Sequence, residues 1–352
     1  MKCDNIRGIF KRVYKMKKAK IKTMIEEKDG PTAVFYANEN QKKPKYKKII
    51  FGICAILVVL ALSINLIAAS FFNFSLFKKD GSKDFAEYSY GEQLAENYEW
   101  TAQKAKEIQI ENADGKFLNA IQIKNENISH SYIIICHRYG ESPETMEKYA
   151  KHFYDLGFNI ILPYLRGHGE SPYKKVSMGW KDSADIVDWV NSIIEKDEKA
   201  RIALFGVSMG ANAVTLAAAE DLPENVRFVI SDGCYTSLEE LIKEYIKNET
   251  SLSSLLTTEF VSLFAENLIG VSLKDADTIK KLEEIRLPIM FINGENDEVV
   301  PPLVSKKLYE NCDAEGVEEV IIEDGTHGRN MEADEESYWS HIDTFILNNL
   351  GI

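Results

Sequence analysis

The chain has 352 residues, enough for one large domain or two modest ones, and its 45% hydrophobic content suffices for a globular core. The net charge of -13 is unevenly divided: residues 1–48 carry 15 Lys/Arg against 5 Asp/Glu, and the remainder carries 27 against 50. An acidic bulk of that kind speaks against nucleic-acid binding, and the five widely spaced cysteines (Cys3, Cys54, Cys136, Cys234, Cys312) form neither a disulfide framework nor a zinc pattern.

Residues 1–48 form a basic tail, predicted to be cytoplasmic. "IRGIFKRVYKMKKAKIKTMI" suits either an amphipathic helix on an anionic inner leaflet or a disordered basic arm, and composition leaves both open. Residues 49–77, "IIFGICAILVVLALSINLIAASFFNFSLF", contain no charged residue. About 20 apolar residues span a bilayer as a helix, so this run is read as a single transmembrane anchor. Lys42, Lys43, Lys45, Lys47 and Lys48 flank its N-terminal side, which places the N-terminus in the cytoplasm and the rest outside the cell. A cleaved signal peptide competes, because Ala68–Ser70 supplies small residues at a cleavage position. The long basic leader and the length of the apolar run favour a retained anchor.

Residues 78–105 read as a polar stalk ending in a short helix. From residue 106 the pattern becomes that of alternating elements. "AKEIQIENADGKFLNAIQIKN" (105–125) is a hairpin turning at Asp114-Gly115. Strands follow at "SYIIICH" (131–137), "FNIILP" (158–163), "RIALFG" (201–206), "VRFVIS" (226–231), "LPIMFING" (287–294) and "VEEVIIED" (317–324). Helices are predicted between and after them, at 143–157, 180–197, 209–220, 303–312 and 335–350. Short apolar strands alternating with helices imply an α/β fold with a mostly parallel sheet covered on both faces. Residues 235–286 exceed what one crossover requires and read as a helical cap inserted over the C-terminal ends of the strands, where such sheets bind ligands. Its apolar segment "LSSLLTTEFVSLFAENLIGVSL" fits either an acyl pocket or the packing face of cap helices.

Chemistry is concentrated at "GVSMG", Gly206–Gly210, where a strand turns into a helix. In a G-x-S-x-G turn the glycines let strand and helix backbones close on one another and the serine is held out above the sheet. Ser208 is therefore the candidate nucleophile, and the Met209 N–H, opening the helix, a candidate oxyanion donor. A serine hydroxyl needs a base, and the base needs an orienting acid. His327 in "EDGTHGRN" follows the last strand and Asp297 in "GENDEVVPP" follows the one before it. Glu295 and Glu298 lie beside Asp297, and Asp232, after the strand at 226–231, is a rival for the acid. The remaining histidines show no metal-ligand spacing, no glycine-rich phosphate or dinucleotide motif occurs, and the chemistry requires no cofactor.

Residues 106–352 resemble the α/β-hydrolase superfamily through "HRYG", "LPYLRGHGES", "FGVSMGA", "NGENDEVVP" and "GTHG", in that family's order and spacing. They are most similar to its bacterial membrane-anchored branch of dienelactone hydrolase-like and serine-peptidase-like proteins. The resemblance implies an eight-stranded, mostly parallel sheet, a Ser208–His327–Asp297 triad, and a second oxyanion donor at the Tyr139 backbone N–H. It also implies a structural role for His168. Where the family usually has His-Gly, this chain has His137-Arg138, and Arg138 offers a guanidinium to a substrate carboxylate. The resulting expectation is an extracytoplasmic serine hydrolase cleaving an acyl ester or thioester of a small molecule. A peptidase or amidase of the same fold and a non-catalytic, membrane-tethered binding module are the alternatives; the sequence leaves the oligomeric state open.

Overall fold

The structure is a computed structural model describing residues 49–56, 58, 59, 63, 98–249 and 272–350. The basic tail, most of the predicted anchor (49–77), most of the stalk and residues 250–271 of the predicted cap lie outside the described residues. The chain divides into two units, Met1–Leu57 and Val58–Ile352. In the first, residues 49–56 are helical, with Ile49, Ile50, Phe51, Ile53 and Ile56 exposed. Among the described residues no helix is long and apolar enough to cross a membrane.

The second unit is built on eight strands: β1 (Lys106–Glu111), β2 (Phe117–Ile123), β3 (Ser131–Cys136), β4 (Asn159–Pro163), β5 (Arg201–Val207), β6 (Val226–Asp232), β7 (Ile289–Gly294) and β8 (Val317–Ile322). Their order across the sheet is β1-β2-β4-β3-β5-β6-β7-β8. The β1–β2 and β2–β4 pairs are antiparallel and all others parallel. The predicted hairpin closes as its sequence requires. Gly115 takes φ 69°, and Asn112 Oδ1 accepts from the N–H groups of Asp114 (3.1 Å) and Lys116 (2.9 Å), a local bond that Asn supplies readily.

Strand residues alternate between two apolar layers. Ile134, Cys136, Ile202 and Leu204 face one layer with Ile186, Trp189, Val190 and Ile193 of the helix Asp182–Lys196 and the alanine-rich helix Met209–Ala218. Ile133, Ile135, Ala203 and Phe205 face the other, with Tyr149 and Phe153 of Glu147–Asp155 and Tyr338, Ile342 and Phe345 of Glu335–Asn349. Period-two strands that are apolar at every position are what burial on both sides demands. The apolar residues of Asp182–Lys196 recur at i, i+3, i+4 and i+7 spacing, whereas Met209–Ala218 is buried all round.

The short helix Glu99–Lys104 packs on the second layer through the Trp100 ring against Tyr154 (centroids 5.4 Å) and Thr101 N–H to Glu147 Oε2 (2.7 Å). Between β6 and β7 the described residues include the helix Leu238–Glu249 and the turn Ile279–Leu282. An isolated bridge from Ser237 to Asp277 closes the base of this insertion.

Candidate active site

The turn from β5 into the helix Met209–Ala218 is where the two backbones come closest. A Cβ on Gly206 would collide with the Gly210 carbonyl, and a Cβ on Gly210 with the Cys136 carbonyl at the end of β3. Only glycine satisfies both approaches. Between them Ser208 adopts φ 57°, ψ -115°, a strained conformation for an L-residue, held by its N–H donating to the Asp232 carbonyl (2.7 Å). The strain lifts the side chain out at the C-terminal edge of the sheet, at the N-terminus of the helix.

Two loops converge on that hydroxyl. Ser208 Oγ lies 2.7 Å from His327 Nε2, and His327 Nδ1 lies 2.8 Å from Asp297 Oδ2. All three residues are buried. The other carboxylate oxygen of Asp297 accepts the N–H groups of Val299 (2.9 Å) and Val300 (2.7 Å), so the turn that Asp297 closes also aims its free oxygen at the imidazole. A carboxylate at Nδ1 keeps the ring proton there and leaves Nε2 to accept from the serine. Asp297 thus holds its own loop through one oxygen and partners His327 through the other.

The rival Asp232 is turned elsewhere. Its Oδ1 accepts from Asn330 Nδ2 (2.6 Å) and its Oδ2 from the Tyr338 hydroxyl (2.8 Å). Asn330 lies three residues past His327, so this fully buried carboxyl fastens the loop bearing His327. Sequence reading missed this tether; the only local signal was a polar Asn330 following the histidine loop. Burial pushes the Asp232 carboxyl up to about 6, against the opposing hydrogen bonds from Tyr338 and Asn330. Because the folded pKa exceeds the unfolded one, Asp232 contributes most to stability below about pH 4, and that contribution is lost as pH rises through about 6. The loss amounts to about 3 kcal/mol at 1.36 kcal/mol per pKa unit. Urea denaturation between pH 4 and 7 is expected to show wild type losing this stability relative to Asp232→Asn; parallel curves for the two proteins would contradict it.

The loop after β3 carries His137, Arg138, Tyr139 and Gly140. His137 Nδ1 donates to the Arg138 carbonyl (2.8 Å) while its Nε2 accepts from Leu165 N–H (3.2 Å). His168 Nδ1 donates to the Arg166 carbonyl (3.0 Å) while its Nε2 accepts from Gly140 N–H (2.9 Å). Two neutral imidazoles in the same tautomer thus brace the loop on both sides of Tyr139. The helix start at Met209 abuts this loop, since Gly210 packs against the Cys136 and His137 carbonyls. As a helix-opening amide the Met209 N–H has no acceptor within its own helix. The Arg138 guanidinium, expected to meet a substrate carboxylate, reaches Glu141 and the Gly328 carbonyl in this structure.

A sheet of this order, with a strained serine between β5 and its helix and a histidine after β8, has the fold of the α/β hydrolases. The family model described as serine aminopeptidase, S33, matches residues 128–256. The Bacillus subtilis protein YqkD is 25% identical over 86% of this chain and 98% of its own length. The Saccharomyces cerevisiae protein YNL320W, described as an uncharacterised membrane protein, is 28% identical over 65% of this chain and 75% of its own. Among solved structures, the Pyrococcus furiosus esterase Pf2001 superposes with a TM-score of 0.60 at 22% identity, covering 73% of this chain and 97% of the esterase.

Proposed function

We propose that the protein is a membrane-anchored serine hydrolase that cleaves an acyl ester or thioester of a small molecule through Ser208, His327 and Asp297. The observation that carries this reading is the unbroken relay from Ser208 Oγ to His327 (2.7 Å) to Asp297 (2.8 Å), with the serine at a helix N-terminus. Ser208 attacks the acyl carbon as His327 Nε2 takes its proton. Asp297 holds the imidazole in the accepting tautomer and stabilises the imidazolium that forms. Charge developing on the carbonyl oxygen is met by the N–H groups of Met209 and Tyr139. His327 returns the proton to the leaving group, and water, deprotonated by the same imidazole, hydrolyses the acyl-enzyme.

The acyl-enzyme is itself an ester, so any site that completes its own turnover already possesses ester-cleaving machinery. Amide cleavage demands more, because the departing nitrogen must be protonated at the right moment. The aminopeptidase description of the matching family model keeps peptide cleavage as the second reading. Membrane attachment through residues 49–77 draws support from their uncharged composition, from the exposed apolar side chains of the helical residues 49–56, and from the kinship with a protein described as membranous. The lysine-rich flank favours a cytoplasmic N-terminus and an extracytoplasmic hydrolase domain.

The test is a substrate panel: p-nitrophenyl esters from acetyl to palmitoyl beside aminoacyl p-nitroanilides. Ester turnover is expected to exceed anilide turnover by at least about 100-fold, roughly 2.7 kcal/mol of transition-state preference. Faster anilide cleavage would replace the ester reading by the peptidase one.

A further inference from the structure

We propose that Arg138 is a positioning residue that ties the loop of the second oxyanion donor to the loop of the base; this rests on the serine-hydrolase reading above. Arg138 immediately precedes Tyr139, and the carbonyl it reaches, that of Gly328, immediately follows His327. One side chain therefore spans 190 residues of sequence to join the flanks of two groups that must act on the same acyl carbon.

The geometry of the guanidinium makes the tie rigid. Nε donates to Glu141 Oε2 (2.9 Å) and Nη2 contacts Glu141 Oε1 (2.8 Å), a bidentate pair that fixes the plane of the fork. Nη1 is left to donate to the Gly328 carbonyl. The two side chains are only 12% and 2% exposed, so water competes little for these bonds. Glu141 is itself held, accepting from Thr145 Oγ1 at 2.8 Å, and Gly328 has φ 66°, a left-handed turn that sets the direction of its carbonyl. A lysine could reach one acceptor but cannot fork onto Glu141 and Gly328 together. Beyond Gly328, Asn330 is fastened to Asp232, so the segment just after His327 is held at two points.

Misplacing a reacting group by about 1 Å can cost about 100-fold in rate. Arg138→Gln is therefore expected to lower kcat on a neutral p-nitrophenyl ester by about 100-fold with KM changed less than about twofold, the pattern of lost transition-state alignment. Glu141→Gln keeps the cation but loosens the fork, and is expected to cost about tenfold. The double variant should be no slower than Arg138→Gln alone, because both changes break one device. Arg138→Lys should recover only part of the loss.

Hydrogen–deuterium exchange supplies a readout independent of turnover. Amides 325–329 and 139–141 are expected to exchange faster in Arg138→Gln, and in Glu141→Gln should the first variant not fold, while β5 amides keep their protection. Unchanged exchange in 325–329 would overturn the tie. So would a raised KM confined to carboxylate-bearing esters with kcat on neutral esters intact, which would mark Arg138 as a substrate contact. Were wild type to turn over no acyl substrate at all, the serine-hydrolase reading would fall, and exchange would still decide whether Arg138 joins the two loops.

Discussion

Ser208→Ala is expected to lower kcat on p-nitrophenyl esters by about 10⁶-fold, with little change in KM and none in the folded state. The magnitude is that of losing a triad member, where the remaining groups cannot act without the nucleophile. Ground-state binding should persist because the Met209 and Tyr139 amides and the acyl surroundings are untouched. The thermal midpoint should barely move, since the strained φ of 57° is imposed by the flanking glycine contacts and by the Asp232 carbonyl, not by the hydroxyl. The same substitution should abolish labelling by a fluorophosphonate, which requires an activated serine. Equal rates for wild type and Ser208→Ala would remove the enzyme reading and favour a tethered binding module.

Asp297→Asn should cost about 10⁴-fold in kcat, and Asp232→Asn less than about tenfold. The first magnitude is that of a triad forced into the wrong imidazole tautomer. The local structure says why an asparagine would do this. One oxygen of Asp297 accepts two backbone N–H groups, from Val299 and Val300, so the amide carbonyl must take that place. The NH₂ group then faces His327 Nδ1 and donates to it, which moves the ring proton to Nε2, where it opposes the Ser208 hydroxyl. At position 232 the partners are both donors, Asn330 Nδ2 and the Tyr338 hydroxyl, so an amide loses one acceptor but leaves the proton relay alone. Steady-state kinetics on the two variants separates the carboxyls; the reverse ranking would transfer the acid role to Asp232.

Much of this arrangement is legible along the chain because it is local. The Asp114-Gly115 turn, the Gly206–Gly210 motif and the strand–loop positions of Asp297 and His327 each announce themselves within a few residues. What decides between Asp297 and Asp232 is not local. Asp232 ends one parallel strand and Asp297 follows another, and the direction of each side chain distinguishes them, set for Asp232 by Asn330 and Tyr338 some hundred residues onward. The same holds for Arg138. An arginine in place of glycine at the oxyanion loop is visible in sequence, but its partner at Gly328 emerges only when β3 and β8 take their places across the sheet. The resemblance implied a structural role for His168, but the partners of the braces His137 and His168 were hidden, since each is defined by one acceptor and one donor from different loops.

The eight-strand order has a temporal corollary. Ser208 precedes its partner His327 by 119 residues, and His327 lies in the loop between β8 and Glu335–Asn349, among the last elements of the chain. A chain that ends before residue 327 is therefore expected to carry Ser208 without its imidazole partner. Chemical reactivity toward an acylating reagent becomes a census of molecules that have finished folding to their last element.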